Sequence, residues 1–278
     1  MKEEITCCVT SCERPLDQTY WENQYVSETT GWDLGKPSPP LQSIIDELSD
    51  KNLRILIPGC GNAYEAEYLL EKGFSDVTLI DISPTLVSDL QEKFKENKQI
   101  KVILGDFFAH EGEYDLVLEQ TFFCALPLSM RQKYVWKMHQ LLSPSGTIKG
   151  LLFNRFFEKQ GPPFGGDQAT YEAFFSNAFE IKKIDICENS ISARANTEFS
   201  IIFAKKNTVS VAFYEFEGIT CNGCMTTVSE KFSENEGVQQ VSMSSDFGSV
   251  LIVSEKEVPL ATLQSQIAYD SKYKIIKT

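Results

Sequence analysis

Histidine is scarce: the chain of 278 residues carries two, His110 and His139. Neither lies in a motif, so a reaction on an alcohol or carbon acid, which needs a placed general base, has little imidazole to draw on. No apolar run approaches the roughly 20 residues of a membrane-spanning helix, and no span is expected. The opening MKEEITCCVTSCERP lacks the basic and then apolar profile of a secretory leader, so a cytoplasmic protein is expected. Clustered basic charge is also missing. With 26 Lys and Arg against 39 Asp and Glu, the formal charge of -13 works against a phosphate backbone as partner.

Cysteine is present in quantity, at eight residues. In a reducing compartment these are free thiols or metal ligands rather than a disulfide framework. Cys7, Cys8 and Cys12 fall in an N-terminal tail (1–19), expected to be unstructured. Cys60, Cys124 and Cys187 are scattered, and Cys221 and Cys224 form a CxxC pair. The length allows one large core and a small second one.

From Leu53 onward, short β-rich runs alternate with helical patterns, the signature of a mostly parallel sheet covered by helices. The strands are LRILIP, VTLIDI, KVILGD, YDLVLE and TIKGLLF, followed by FEIKKIDIC and FSIIFAK as a closing hairpin. Helical spacing marks AYEAEYLLEKG, PTLVSDLQEKFKEN and SMRQKYVWKMHQLL, the last stopped by Ser143-Pro144-Ser145-Gly146. The pattern restarts after Asn207: strand, helix, two strands, helix, strand. That order predicts a ferredoxin-like βαββαβ domain.

Gly59-Cys60-Gly61 lies between the first strand and its helix, where an open α/β fold binds ligands. A bare GxG is equally consistent with a steric need for glycine. Asp81 ends the second strand about 20 residues on, the usual place for a ribose-binding carboxylate, while Tyr64 replaces the third glycine of a dinucleotide fingerprint. A cofactor with a ribose and adenine but no pyrophosphate fits: S-adenosylmethionine, and hence a class I methyltransferase with a doubly wound sheet.

WENQYVSETTGWDLGKPSPPL, IPGCG, DIS, GDFF, YDLVLEQTFFCALP and GPPF, in order from about Tyr20 to Lys206, resemble the thiopurine methyltransferase superfamily, in particular its plant-type thiol and halide branch. The resemblance implies that Trp21, Tyr25 and Trp32 close over the cofactor. It also sets Gly59 at the methionine part, Asp81 at the ribose, Asp106 and Phe107 at the adenine, and Gln120 at the edge of the sulfonium site. Gln120 stands where the family often has an aromatic or an arginine, and Glu119 where Asp is common. The acceptor pocket is expected to draw on Gln120, Asn154, Arg155 and Arg194, with Phe122, Phe123, Pro163 and Phe164 around them. Solvated surface charges are the alternative for both arginines, and ordinary hydrophobic packing for Trp21 and Trp32. Buried Cys60 and Cys124 read as small fillers.

GITCNGC, on a strand-to-helix turn, resembles the metal loop of heavy-metal-associated domains, over Thr208 to Thr278. The resemblance implies Cu(I) or another soft metal on Cys221 and Cys224, with Tyr273 at an aromatic position near it. Zn(II) needs more ligands than this loop supplies, unless Cys7, Cys8 and Cys12 add them; the competing readings are a thioredoxin-like redox pair, disfavoured because that fold places CxxC differently, and a decayed module kept as a folded lid.

The expectation is a methyltransferase domain over 20–206, acting on a thiol, sulfide, halide or metalloid, and a heavy-metal-associated domain over 208–278. Two alternatives stay open. One is a metal-trafficking protein that binds S-adenosylmethionine only as a regulator. The other is an organic-thiol methyltransferase fully active as residues 1–206.

Overall fold

The computed structural model describes residues 15–159 and 161–277. The expectations attached to Cys7, Cys8 and Cys12 lie outside them. The chain opens with α1 (Gln18–Val26) and α2 (Pro39–Asp46), then alternates β1 (Ile55–Pro58), α3 (Tyr64–Glu71), β2 (Val77–Asp81), α4 (Pro84–Lys93) and β3 (Ile100–Leu104). There follow β4 (Tyr114–Glu119), α5 (Arg131–Leu141), β5 (Leu142–Phe153), α6 (Gln168–Phe175), β6 (Phe179–Ile186) and β7 (Glu198–Lys205). The strands make one seven-stranded sheet in the order β3-β2-β1-β4-β5-β7-β6. β1 to β5 run parallel, and β7 inserts antiparallel between β5 and β6. The apolar runs that mark the strands in sequence are buried: every residue of β1 and β2 is. This is the doubly wound, mostly parallel α/β sheet that the sequence pattern predicts.

Three helices escape the sequence pattern. α1, QTYWENQYV, has no buried residue and no apolar stripe; it is started by Asp17, whose carboxylate accepts the Tyr20 amide. α2 begins at Ser38, whose Oγ accepts the Leu41 amide, with Pro39 at the first helical position. α6 is capped by Asp167 in the same way. One strand also starts earlier than expected. β5 begins at Leu142 instead of Thr147, because Leu142 pairs with Tyr114 across an irregularity that absorbs the Pro-Ser-Gly segment.

β1 lies between β2 and β4, so the chain leaves the carboxyl ends of these neighbours in opposite directions and opens a crevice there.

A separate antiparallel sheet follows, with β8 (Ser210–Glu217), α7 (Asn222–Ser233), β9 (Val238–Met243), β10 (Ser249–Ser254), α8 (Leu260–Ile267) and β11 (Lys274–Lys277), in the order β11-β8-β10-β9. Alternation along its strands sends Tyr214, Phe216, Val250 and Ile252 to a core with Val228 and Phe232 of α7 and Leu263 and Ile267 of α8. The intervening residues are not left to solvent. Leu251 and Val253 join the core cluster that contains Tyr134, Val135 and Met138 of α5. Phe213 stacks on Trp136 with ring centroids 5.7 Å apart. Gln132 Nε2 donates to the Met243 carbonyl at 2.9 Å, which ties the edge strand to the start of α5. All of β10 is therefore buried, on both faces.

Candidate active site

The turn after β1 is held in the left-handed region at Gly59 (φ 56°), Gly61 (φ 51°) and Ala63 (φ 54°). A Cβ on Gly59 would stand 2.4 Å from Phe122 Cδ2, so this turn and the segment after β4 meet without room for a side chain. Asp81 faces the same turn: Oδ2 accepts the Gly61 amide at 3.4 Å and Oδ1 the Ser83 amide at 3.0 Å. Burial pushes the Asp81 carboxyl up, and the three backbone amides near it pull the other way. With one bond to a backbone amide on each oxygen, the carboxylate keeps acceptor capacity for further donors such as hydroxyls. Asp106 caps the short turn Phe107–Ala109 by accepting the Phe108 amide at 2.9 Å. Phe107 is buried, edge-on to Phe122 at 5.0 Å.

The N-terminal segment closes the other side. Trp32 meets Trp21 edge-to-face at 5.6 Å and Tyr25 at 5.9 Å. α1 is fastened to the start of α4, immediately beyond Asp81: Ser83 Oγ donates to Glu22 Oε2 at 2.6 Å, as does the Thr85 amide at 3.1 Å. Gln18 Nε2 adds a bond to the Ile82 carbonyl at 3.0 Å. A carboxylate at a helix N-terminus is electrostatically favourable, so Glu22 is both cap and clasp.

Together these elements enclose a cavity of about 870 Å³. Trp21, Tyr25, Trp32, Gly59, Asp81, Asp106, Phe107, Gln120, Arg155 and Arg194 all line it, as do Phe122 and Pro163. Asn154 corrects the expectation. It is not among the lining residues; its amide donates to the Thr197 carbonyl at 2.7 Å and its backbone bridges to Gly166. Phe123 is likewise not a pocket residue but fully buried core beneath Tyr134, at a ring separation of 4.8 Å.

Arg194 is not a solvated charge. Its side chain is 13% exposed, pairs with buried Glu198 at 3.5 Å and donates through Nη2 to the Trp32 carbonyl at 3.1 Å. Arg155 is exposed and lies over the Phe157 ring at 4.6 Å. Neither histidine lines the cavity: His139 is bonded to the Lys206 carbonyl and His110 to the Tyr114 hydroxyl. Burial pushes the thiols of Cys60 and Cys124 up, which keeps both protonated.

Several positioning contacts had no sequence signal. Ser38 Oγ donates to Gln120 Oε1 at 2.8 Å, and the Ser38 amide to Glu65 Oε1 at 3.1 Å, so the start of α2 holds two residues of the lining. Glu119 is fully buried and organises the segment after β4. Its Oε1 accepts the Phe122 and Phe123 amides, both at 2.9 Å, and its Oε2 the Tyr134 hydroxyl at 2.6 Å.

Burial pushes the Glu119 carboxyl up to about 7, although these hydrogen bonds oppose the shift. The folded chain therefore holds a proton that the unfolded chain releases near pH 4.5, and stability falls as pH rises from there through about 7. Glu119→Gln removes this slope. Relative to wild type it is expected to gain up to roughly 3 kcal/mol between pH 5 and 8, by the conversion of pKa shift to free energy. Urea midpoints across that range test it; a pH-independent difference between the two proteins would sink the prediction.

At the far end of the chain, Cys221 starts α7 and Cys224 lies in its first turn, with the two sulfurs 2.9 Å apart. Hydrogen bonds from Cys221 and then Tyr273 lower the Cys224 pKa, with the Lys272 charge acting in the same direction. Gly218, at φ 95°, lets the loop pass 2.3 Å from its would-be Cβ to the Lys272 carbonyl, which brings these groups together. Among the described residues no cluster of three or more His, Cys, Asp or Glu is suited to a metal ion.

The family model for Thiopurine S-methyltransferase matches residues 16–211. "Probable thiol methyltransferase 2" of Arabidopsis thaliana is 33% identical over 157 residues, covering 55% of this chain and 69% of its own length. "Thiocyanate methyltransferase 1" of Brassica oleracea is 28% identical over 190 residues, covering 66% and 83%. A solved structure of Burkholderia thailandensis 1,6-didemethyltoxoflavin-N1-methyltransferase with bound S-adenosylhomocysteine superposes with a TM-score of 0.56 at 16% identity, covering 68% of this chain and 86% of that one. Magnesium protoporphyrin IX methyltransferase from Synechocystis PCC 6803, also with bound S-adenosylhomocysteine, gives a TM-score of 0.54 at 15% identity, covering 68% and 100%.

Proposed function

The chain belongs to the thiopurine S-methyltransferase family as an S-adenosylmethionine-dependent S-methyltransferase, and on that premise we propose that its acceptor is a small soft nucleophile: a thiol, sulfide, halide or metalloid. The observation that carries this reading is the cavity itself, which gathers an aromatic wall, the buried Asp81 carboxylate and two arginines, with no histidine on its lining. Bound S-adenosylmethionine supplies a methyl group on a sulfonium, ready for in-line displacement.

The chain's own groups bind, orient and exclude water. Asp81 accepts the ribose hydroxyls. Asp106 and Phe107 meet the adenine. The close turn at Gly59 receives the methionine part. Trp21, Tyr25 and Trp32 cover the cationic sulfur, which aromatic faces stabilise by ~1 to 2 kcal/mol when desolvated. Gln120, held by Ser38, stands at the edge of the sulfonium site. Arg155 attracts an anionic acceptor. Arg194 contributes charge while fixing the Trp32 backbone. Asn154 is set aside. A thiolate, hydrosulfide or halide attacks without a general base.

We read the terminal unit over 208–278 as a ferredoxin-like, heavy-metal-associated domain. Two thiols at a helix N-terminus beside a lysine suit Cu(I) or another thiophilic ion, which accepts few ligands. Such an ion is cargo or signal here. A cytosolic location, where thiols stay reduced, agrees with both halves of this reading.

One experiment tests it: headspace and liquid mass spectrometry of metal-stripped protein given S-adenosylmethionine with hydrosulfide, iodide, thiocyanate, a small thiol, arsenite or selenite. The same panel is run on Cys221→Ser/Cys224→Ser. A methylated product is expected from at least one acceptor, with Cu(I) affinity lost in the double variant. Cofactor binding without turnover of any acceptor would favour the metal-trafficking alternative, and unchanged Cu(I) affinity would remove the dithiol site.

A further inference from the structure

Three consecutive residues at the start of α5 reach three parts of the molecule. Met130 lines the cavity, Arg131 reaches the loop after β5, and Gln132 grips the second sheet at Met243. The loop bracketed by Arg155 and Gly166 supplies the cavity with Arg155, Phe157, Pro162 and Pro163. Its base is closed by the Gly166 amide on the Arg155 carbonyl at 3.0 Å and the Phe164 amide on the Cys124 carbonyl at 2.7 Å. Arg131 Nη2 adds a donor to the Gly165 carbonyl at 2.8 Å and a longer one to that of Phe164 at 3.4 Å.

The cost of placing an arginine there is visible. Arg131 is 3% exposed, its guanidinium lies over Phe123 at 4.8 Å, and its Nε has no hydrogen-bond partner. Its hydrogen bonds go to carbonyl oxygens and not to a carboxylate. A methionine or leucine would fill the same aromatic slot without burying an unpaired cation. What only the arginine supplies is the charged donor on the loop. The loop base is also too tight to absorb a shift: a Cβ on Gly165 would stand 1.6 Å from the Arg155 carbonyl oxygen, and one on Gly166 2.9 Å from Tyr171. Movement at Gly165 therefore passes to Arg155.

We infer that Arg131 is a positioning residue for the acceptor side of the pocket, holding the Gly165 carbonyl and thereby setting where Arg155, Phe157 and the Pro162–Pro163 pair stand. The inference rests on the methyl-transfer reading for its activity arm alone. The residues assigned to the cofactor's ribose and adenine, Asp81, Asp106 and Phe107, sit on other elements, so the effect is confined to the acceptor.

The test compares wild type, Arg131→Gln and Arg131→Lys by calorimetric affinity for S-adenosylmethionine, by KM for hydrosulfide, and by amide hydrogen exchange in peptides covering residues 161–167. Arg131→Gln is expected to raise the hydrosulfide KM about tenfold or more, the scale of one lost charged hydrogen bond, with cofactor affinity unchanged. Exchange in 161–167 is expected to accelerate, and Arg131→Lys, which keeps a charged donor, to recover most of both effects. Unchanged exchange there in Arg131→Gln, or cofactor affinity falling in step with KM, overturns the inference. If wild type does not methylate hydrosulfide, KM is taken for an acceptor of the panel that it does methylate; if it methylates none, the acceptor assignment fails while the exchange comparison still decides Arg131. If Arg131→Gln does not fold, Arg131→Lys decides: a mild acceleration confined to 161–167 supports the inference, and either none or a uniform one overturns it.

Discussion

Gly59→Ala is expected to abolish S-adenosylmethionine binding while leaving a folded protein. The residue combines a left-handed φ of 56° with a would-be Cβ 2.4 Å from Phe122 Cδ2. The backbone strain alone costs about 1 to 2 kcal/mol. The contact is closer than carbon atoms tolerate, so the ring or the turn has to move. Phe122 has no easy retreat: its amide is held by Glu119, and its ring is packed against Phe107 at 5.0 Å. A displaced turn would pull the Gly61 amide from Asp81, and a displaced ring would enter the cavity. Either outcome costs at least roughly 100-fold in affinity, about 2.7 kcal/mol.

Gly73→Ala is the control. Its φ of 86° carries the same kind of strain, but nothing lies within 4 Å of its would-be Cβ. It should lower the melting temperature by a few degrees and leave cofactor affinity alone. Calorimetric titration of both variants with S-adenosylmethionine measures the contrast, and near-normal affinity in Gly59→Ala would refute the geometry given to this turn.

The second large effect concerns the terminal unit. A chain ending at residue 206 is expected to be severely destabilised, contrary to the organic-thiol alternative in which residues 1–206 are fully active. Leu251 and Val253 are fully buried, within the cluster that contains Tyr134, Val135 and Met138 of α5. Phe213, 5% exposed, stacks on Trp136. Each such side chain contributes about 1.5 to 3 kcal/mol. Losing several consumes most of the roughly 5 to 15 kcal/mol by which a domain is stable. The truncation also strands Gln132, whose Nε2 loses the Met243 carbonyl. Circular-dichroism melts of the truncated and full chains test this. Equal melting temperatures with full turnover would show that the second sheet is an appendage and not part of the wall behind α5.

Some of the site was legible because its signals are local. The apolar β-rich runs, the glycine turn after the first of them, and Asp81 at the end of the next are properties of neighbouring residues, and they locate the crevice before any contact is known. The two cysteines at the start of α7 are local in the same sense. Contacts such as Ser38 to Gln120, 82 residues apart, leave no such trace. α1 was unreadable for a related reason: with no residue buried, it carries no apolar stripe, and its clasp to α4 through Glu22 is a long-range hydrogen-bond pattern.

Arg194 and Asn154 mark the same boundary from opposite sides. Both were candidates by residue type and position, yet one is drawn to Glu198 and Trp32 at the cavity while the other is turned to backbone pairing with Thr197 and Gly166. By itself, the sequence determined the strand order's raw material, the cofactor-side motif and the dithiol loop, since periodicity and turn chemistry depend on residues a few positions apart. Only the tertiary structure decided which arginine is held, that Arg131 bonds the loop after β5, and that the second sheet's other face is buried on α5. An alternating strand pattern states that a face is apolar, but what covers that face is set by packing between segments far apart in the chain.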